Sequence, residues 1–276
     1  MNLHNGDQAE GMEASPMRVL DMFTLQHKVA LVTGGSGKYG RQIVQCLAEA
    51  GAATYVTTSR QDQLAAVEQQ FRETGHQVRA IYMDQGSESS VAAAKEQIME
   101  LEGRIDVLVN NAVARVMKLG WEEDAQRFAE SMAVNATGLF VVTRAFGDIM
   151  AQQGSGSIIN IGSMYGMVGP DVTMYEGLGT RVNPDYFFHK AGMMNMTRYV
   201  ASQYGPSNVR CNCVSPGGFW TEQHNERFVE RYNKRTLLGR MANETDLKGV
   251  ILFLASDASL YVTGVNIPVD GGYTAK

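Results

Sequence analysis

Two residues of the chain, Tyr186 and Lys190, have the types and the spacing of an acid–base pair. Residues four positions apart lie on one face of a helix, so this spacing places the ammonium group of Lys190 beside the phenol of Tyr186. A tyrosine hydroxyl ordinarily titrates near pH ~10, and a nearby positive charge favours the phenolate and lowers that pKa. The pair is therefore a candidate proton donor and acceptor. The alternative is a half-buried tyrosine followed by a solvated lysine.

Polar residues follow two apolar segments that are predicted to be strands. Ile105–Val109 runs into Asn110–Ala112, and Ser157–Ile161 runs into Gly162 and Ser163. Ligands bind at the carboxyl ends of the strands in an open parallel sheet. We therefore expect these residues and the glycine-rich loop described next to converge on one crevice.

A glycine-rich loop lies between a predicted strand, Lys28–Thr33, and a segment with helical periodicity, 41–50. Within it, Gly35–Gly40 fits the pattern G-x-G-x-x-G. Glycines permit the turn and let backbone N–H groups approach a pyrophosphate, while the N-terminus of the helix contributes partial positive charge. The loop therefore predicts dinucleotide binding, and a plain glycine turn is the alternative.

Length and composition are typical of one folded α/β domain. The chain has 276 residues, 44% of them hydrophobic, which is enough to bury one substantial core. Predicted strands and helices alternate along the sequence, as expected of an α/β fold. The segment 1–24 is polar and contains Gly6, Gly11 and Pro16, and we expect it to be a flexible N-terminal tail.

Charge and cysteine content exclude several classes of function. The net charge of -5 and the absence of a dense Lys/Arg stripe disfavour nucleic acid as a partner. The cysteines are Cys46, Cys211 and Cys213, whose spacing does not suggest zinc or any other metal site, and we expect buried free thiols in a reducing cytosol. No apolar run is long enough to span a bilayer, so we expect a cytoplasmic protein without a membrane partner.

Taken together, these motifs resemble those of the short-chain dehydrogenase/reductase family from about Leu25 to Gly272. The resemblance implies that residues 25–276 form a single doubly wound Rossmann fold, with a parallel sheet flanked by helices. The motifs that carry it are Thr33–Gly40, Asp84, Asn110–Ala112, Asn135, Ser163, Tyr186 with Lys190, Pro216 and Gly217 with Thr221, and Val262–Gly264 leading to Val269–Gly272.

The resemblance implies reversible hydride transfer between a nicotinamide ring and a carbon that bears oxygen. Tyr186 would give or take the proton, and Ser163 would hydrogen-bond the reacting oxygen. Lys190 would lower the phenol pKa and hold the nicotinamide ribose, and Asn135 would position a water that links Lys190 to solvent. The implied cofactor-binding residues are Gly34, Ser36, Gly37, Lys38, Tyr39, Gly40, Ser59, Arg60, Asp84, Gln85, Asn111, Ala112, Pro216, Gly217, Phe219 and Thr221.

The chain departs from the usual family pattern at several positions. Lys38 and Tyr39 stand where glycine and then isoleucine or leucine are usual, and Val113 replaces a glycine. Ser163 and Tyr186 are 23 positions apart, more than in ordinary members, which indicates an insertion at about 164–185. This insertion resembles that of the gluconate 5-dehydrogenase-like branch, whose members act on sugar acids and sugar derivatives.

Cofactor choice depends on the end of the second predicted strand, 53–60. An acidic residue at this position binds the ribose 2′-hydroxyl of NAD, whereas a basic residue accommodates the 2′-phosphate of NADP. The segment ends in Ser59 and Arg60, with no carboxylate before Asp62, and Lys38 adds positive charge in the glycine-rich loop. We therefore expect NADP(H), with NAD(H) as the alternative.

The segment at about 217–245 resembles the mobile lid that covers the substrate in this family. Arg181 in the insertion and His224 in the lid are candidate substrate contacts. We expect an NAD(P)-dependent enzyme that interconverts a secondary alcohol and a ketone, acting on a sugar acid, a polyol or a related hydroxylated metabolite. A keto-acyl or cyclic ketone reductase is the alternative enzyme, and a non-catalytic nucleotide-binding sensor or scaffold is a third hypothesis. The resemblance also favours self-association as a homotetramer or dimer.

Overall fold

A seven-stranded parallel sheet forms the centre of the computed structural model, which describes residues 18–276. The strands are β1 (Val29–Val32), β2 (Ala53–Thr58), β3 (Val78–Tyr82), β4 (Val107–Asn110), β5 (Gly156–Ile161), β6 (Val209–Pro216) and β7 (Asn266–Val269). Their order in the sheet is β3-β2-β1-β4-β5-β6-β7. The central strands β1 and β4 are buried along their whole length, as their apolar sequences require of strands covered on both faces.

Helices cover both faces of the sheet. They are α1 (Lys38–Glu49), α2 (Leu64–Arg72), α3 (Glu88–Glu102), α4 (Ala125–Met132), α5 (Leu139–Gln153), α6 (Pro184–Tyr204), α7 (Glu226–Arg235) and α8 (Lys248–Ala255). Apolar side chains of α1, α2 and α8 pack in one hydrophobic layer, and those of α3, α5 and α6 pack in the other. The predicted Rossmann fold, with its parallel sheet between two helical layers, is therefore confirmed.

The direction of strand addition reverses at β1, which pairs with β2 on one side and with β4 on the other. In an open α/β sheet this reversal opens a crevice at the carboxyl ends of the two neighbouring strands. The glycine-rich loop follows β1, and Asn111 and Ala112 follow β4. The two predicted motifs therefore meet at the place where such sheets bind ligands.

Local sequence explains where the elements near this crevice begin. Helix α1 begins at Lys38, earlier than the predicted 41, because Gly37 is its extended N-cap residue. The predicted insertion contains two short 3₁₀ helices, Met164–Gly166 and Val172–Met174, before Pro184 opens α6. Proline suits the first turn of a helix because that turn has no intrahelical use for its N–H group.

The structure describes only part of the predicted N-terminal tail but all of the predicted lid. Residues 1–17 of the predicted N-terminal tail lie outside the described residues, and Val19–Phe23 forms a 3₁₀ helix. The predicted lid contains α7, which Asn225 caps by accepting a hydrogen bond from the backbone N–H of Arg227.

Candidate functional site

A cleft of about 750 Å³ lies at the carboxyl edge of the sheet, between the glycine-rich loop, α6 and the lid. It brings together thirteen of the residues singled out from the sequence: Gly34, Ser36, Gly37, Lys38, Tyr39, Gly40, Asn111, Ser163, Tyr186, Lys190, Pro216, Gly217 and Phe219. These residues come from five separate segments of the chain, and the structure brings them to one cleft as predicted.

Close backbone contacts shape the glycine-rich loop. The Thr33 hydroxyl accepts hydrogen bonds from the backbone N–H groups of Asn111 and Ala112, both at 3.0 Å. The Asn111 side-chain amide donates to the carbonyls of Thr33 and Gly34, at 3.0 and 2.8 Å. A Cβ on Gly34, whose φ is +61°, would lie 2.9 Å from the Cα of Ala112. Asn111 and Ala112 therefore hold this loop against the end of β4.

The N-terminus of α1 offers backbone donors to the cleft. The first intrahelical bond of α1 runs from the Arg41 N–H to the Gly37 carbonyl, at 2.9 Å. The backbone N–H groups of Lys38, Tyr39 and Gly40 come before this bond and therefore have no acceptor within the helix. All three residues line the cleft. Unpaired amides and the helix dipole together bind an anionic group, so this end of the cleft fits the pyrophosphate of a dinucleotide.

Tyr186 and Lys190 lie on the first turns of α6 and both face the cleft. The Lys190 ammonium is 5.9 Å from the centroid of the Tyr186 ring, as the four-residue spacing predicts. Lys190 is only 3% exposed and donates a hydrogen bond to the Ile161 carbonyl at 2.5 Å. Burial lowers the pKa of Lys190, and the nearby Tyr186 opposes this shift. The ammonium is therefore held in place between the end of β5 and the phenol.

Ser163 lies just beyond the end of β5 and is buried at the floor of the cleft. Its hydroxyl oxygen accepts a hydrogen bond from the backbone N–H of Tyr165 at 3.2 Å. Because this contact uses only a lone pair of the oxygen, the hydroxyl proton remains able to point into the cleft. Ser163 can therefore donate a hydrogen bond to an oxygen bound near Tyr186.

Asn135 occupies a π-helical segment, Ala133–Gly138, between α4 and α5, and does not line the cleft. Its side chain pairs with both backbone groups of Ala114, each at 2.8 Å. It also donates to the Ser131 hydroxyl at 3.0 Å, and Ser131 in turn donates to the buried carboxylate of Asp185 at 2.5 Å. The side chain of Asn135 thus ties the loop after β4 to the start of α6, next to Tyr186.

Arg115 lines the cleft although it belongs to none of the sequence motifs. Its guanidinium lies 4.8 Å from the centroid of the Tyr186 ring, a cation–π contact. Within residues 18–276 it forms no ion pair with a carboxylate. The position of Arg115 shortly after Asn110–Ala112 was a weak signal, since any side chain of this loop can reach the cleft. Its charge beside the reacting group makes it a strong candidate for binding an anion.

The two substrate contacts suggested from the sequence have different surroundings. Arg181 lines the cleft, but its guanidinium donates to the Leu119 carbonyl at 3.0 Å and is paired with Glu122. His224 also lines the cleft, and its Nδ1 accepts a hydrogen bond from the backbone N–H of Thr221 at 3.1 Å. Burial, and then the charge of Lys38, lower the pKa of His224. Arg181 is therefore largely neutralised, whereas His224 faces the cleft beside Lys38.

Several predicted cofactor contacts lie outside the lining of the cleft. Ser59 and Arg60 are exposed just after β2, on the carboxyl side of the sheet. Asp84, after β3, accepts a hydrogen bond from the Gly86 N–H, and Gln85 donates to the Val134 carbonyl, both at 2.9 Å. Thr221, Ala112 and Asn135 are likewise absent from the lining. Their predicted roles in cofactor binding and proton transfer stay predictions.

Tyr39 links the glycine-rich loop to the base of the lid. Its hydroxyl donates to the Gly217 carbonyl at 2.9 Å, and its ring meets the edge of the Phe219 ring at a centroid distance of 5.2 Å. Burial raises the pKa of Tyr39, so its hydroxyl stays a donor at neutral pH. On the other side, the Gly218 N–H donates to the Tyr232 hydroxyl at 2.5 Å. The base of the lid is therefore held from two directions.

In residues 18–276, no three His, Cys, Asp or Glu side chains are grouped so that they could hold a metal ion. Among the described helices, none combines the length and the apolar character needed to cross a bilayer.

Comparison with known sequences identifies the family. Residues 39–274 match a family described as enoyl-(acyl carrier protein) reductase. The chain is 35% identical over 252 residues to the 3-oxoacyl-(acyl-carrier-protein) reductase FabG of Aquifex aeolicus (strain VF5), and the alignment covers 90% of this chain and 98% of that relative.

Solved structures agree with this match. A gluconate 5-dehydrogenase from Burkholderia cenocepacia J2315, in complex with NADP and tartrate, superposes with a TM-score of 0.84 at 29% identity, covering 94% of this chain and 100% of the other. A short chain dehydrogenase from Leptospira borgpetersenii serovar Hardjo-bovis (strain JB197), with bound NAD+, has a TM-score of 0.81 at 28% identity, with 99% and 100% covered. With its parallel sheet and its matched sequence, the chain belongs to the short-chain dehydrogenase/reductase family of oxidoreductases.

Proposed function

We propose that this protein is an NAD(P)-dependent oxidoreductase that interconverts a secondary alcohol and a ketone on a sugar acid or a related hydroxylated acid. One observation carries the proposal: Tyr186, Lys190 and Ser163 line the same cleft, and the guanidinium of Arg115, which has no carboxylate partner in residues 18–276, lies over the Tyr186 ring. The first three residues supply the chemistry of alcohol oxidation or ketone reduction. The fourth favours a substrate with a negative charge.

Each polar group has a separate task in this reaction. Tyr186 takes the proton from the alcohol, or gives it to the ketone oxygen, while Ser163 donates a hydrogen bond to the same oxygen. Lys190 is held by the Ile161 carbonyl, and its positive charge stabilises the phenolate form of Tyr186. The glycine-rich loop would hold a nicotinamide dinucleotide, which when bound would supply or accept the hydride. The amides of 38–40 would hold its pyrophosphate.

Arg115 supports the acidic substrate class. A planar guanidinium binds a carboxylate through two parallel hydrogen bonds, which fixes orientation as well as charge. The Arg115 guanidinium lies only 4.8 Å from the centroid of the Tyr186 ring. A small substrate could therefore bind Arg115 through its carboxylate and reach the Tyr186 hydroxyl with its alcohol group. The likeness to a gluconate 5-dehydrogenase that was crystallised with tartrate points in the same direction.

The substitution Tyr186→Phe tests the assignment of the reacting group. We expect turnover to fall by roughly 10²–10⁴, because general acid–base catalysis contributes that much, while cofactor affinity stays close to that of the parent protein. Tyr261→Phe, at an exposed position outside the cleft, is the matched control and should leave turnover unchanged. Near-normal turnover of Tyr186→Phe would contradict the proposal.

The substrate class is tested by comparing gluconate with glucitol, which has the same hydroxylated chain but no carboxylate. If Arg115 selects acids, kcat/KM for gluconate should exceed that for glucitol by about tenfold or more, the worth of one charge-assisted hydrogen bond. Equal values for the two compounds would remove the basis for an acidic substrate.

A keto-acyl reductase is the second candidate, favoured by the 35% identity to the FabG relative. Acetoacetyl thioesters and cyclohexanone, assayed beside gluconate and 5-ketogluconate, separate the candidates. Preferential reduction of the thioester would select the keto-acyl function, and preferential reduction of cyclohexanone would select a cyclic ketone reductase.

NADP(H) is the cofactor we propose. Arg60 follows the end of β2 with no carboxylate before Asp62, and Lys38 adds positive charge in the glycine-rich loop. One structural relative was solved with NADP and another with NAD+, so relatives of this chain bind either nucleotide. The ratio of kcat/KM for NADPH and NADH measures the preference.

Self-association as a homotetramer or dimer is part of the proposal. Three aromatic side chains on α5 and α6, Phe140, Phe188 and Tyr199, are exposed. The Phe188 ring meets the Phe128 ring of α4 edge to face, at a centroid distance of 5.8 Å. Exposed apolar surface of this kind commonly marks a protein interface. Light scattering after gel filtration gives the mass of the assembly.

A further inference from the structure

A second cavity, of about 600 Å³, adjoins the reaction cleft. It lies between the loop after β4, at 119–122, and the insertion, at 172–182. Four residues line both spaces, namely Tyr175, Thr180, Arg181 and Val182. The two spaces therefore share one wall, which belongs to the insertion.

Specific contacts hold the two sides of this cavity together. The Gly120 N–H donates to the side-chain oxygen of Asn183 at 3.0 Å, and Arg181 donates to the Leu119 carbonyl at 3.0 Å. Arg181 also pairs with Glu122. A Cβ on Gly120, whose φ is +68°, would lie 3.3 Å from the Val182 carbonyl oxygen. The close approach of the two segments thus depends on a glycine and on three polar contacts.

Large apolar side chains are exposed at this cavity. Trp121 is 89% exposed, Val172 70% and Leu119 50%, and all three belong to the lining. Leaving an indole in water forgoes the free energy that burial of its surface provides. Exposed apolar surface beside a built cavity is the usual mark of a binding site.

We propose that this cavity is an outer substrate subsite that holds a second sugar ring, whose C–H face packs on the indole of Trp121. The inference rests on the proposed function, because the acidic unit of the substrate must react in the neighbouring cleft. The two spaces lie side by side on the same four residues, so a substrate with two rings that reaches over this wall would occupy both. The Glu122 carboxylate and the Thr180 hydroxyl at the rim offer hydrogen-bond partners for ring hydroxyls. The substrate class is therefore a glycosylated sugar acid.

Fluorescence gives a binding test that is independent of turnover. The chain has only two tryptophans, so Trp220→Phe leaves Trp121 as the sole indole reporter. Cellobionate, a glucosyl gluconate, should shift the emission of this variant to shorter wavelength as the ring covers the indole, whereas gluconate should not. An emission that is already that of a buried indole, or that does not respond to saturating cellobionate, overturns the subsite.

Kinetics give the second test. Trp121→Ala should raise KM for cellobionate about tenfold, the worth of one good aromatic contact, and leave KM for gluconate within twofold. Leu101→Ala, an exposed position on α3, is the control and should change neither value. Equal increases of KM for both acids, with turnover intact, overturn the subsite but not the proposed function. Turnover of neither acid, with no change in emission, overturns both.

Discussion

His189 should make the stability of this protein fall steeply with acidity. The residue lies on α6 between Tyr186 and Lys190 and is 5% exposed. Within residues 18–276, neither nitrogen of its ring has a hydrogen-bond partner. Burial lowers the pKa of His189 to about 3, and the positive charges of Lys190 and Arg115 act in the same direction. The imidazole is therefore neutral in the folded protein at neutral pH.

The size of the effect follows from linkage between protonation and folding. In the unfolded chain the His189 pKa is near ~6.5, so as the pH falls below that value the unfolded state binds a proton that the folded state does not bind. The contribution is fully present above pH ~6.5 and is lost as the pH falls toward the folded pKa of about 3. At about 1.4 kcal/mol per pH unit, the complete loss is of the order of 5 kcal/mol.

The assay is urea unfolding at fixed protein concentration between pH 7.5 and pH 4, with His189→Leu compared with the parent protein. The variant should lose stability more gradually on acidification, with a difference of several kcal/mol at the acid end. At pH 7.5 it should be no less stable than the parent, because leucine buries no unpaired nitrogen. Met193→Leu, a volume-conserving change at a buried position of the same helix, should keep the parent slope.

Identical acid slopes for the parent and His189→Leu would refute this reasoning. Such a result would mean that His189 is protonated in the folded protein. The partner would then be sought in Asp185, one turn earlier on α6, whose Oδ1 is also buried without a hydrogen-bond partner within the described residues.

Three further substitutions test contacts around the cleft. Ser131→Ala removes the hydroxyl that donates to the buried Asp185 carboxylate and should cost about 1–3 kcal/mol in urea unfolding, whereas an unchanged midpoint would mean that this bond is dispensable. Tyr39→Phe deletes the bond to the Gly217 carbonyl and should lower the free energy of unfolding by about 0.5–1.5 kcal/mol; no loss would show that this bond is dispensable beside the ring contact and the Gly218–Tyr232 bond. Arg60→Glu should reduce the NADPH to NADH ratio of kcat/KM by at least tenfold, and an unchanged ratio would place the 2′-phosphate elsewhere.

Local sequence determined the fold class and the main parts of the site. Apolar runs of strand length gave β1, β4 and β5 to within two or three residues, and the glycines between β1 and α1 marked the loop that lines the cleft. The spacing of Tyr186 and Lys190 placed both on one face of α6. These predictions succeeded because helix periodicity, strand burial and glycine conformation depend on a few neighbouring residues.

Only the tertiary structure decided what each side chain contacts. Asn111 lines the cleft, but its side-chain amide is used to hold Thr33 and Gly34. The side chain of Asn135 is fully engaged by Ala114 and Ser131. Arg181 is neutralised by Glu122 of another loop, whereas Arg115 reaches the Tyr186 ring without a carboxylate partner among the described residues. Apart from the bond between Asn135 and Ser131, which are four positions apart, these contacts join segments that are distant in the chain. Their distances and charges arise from packing, which no short-range spacing encodes.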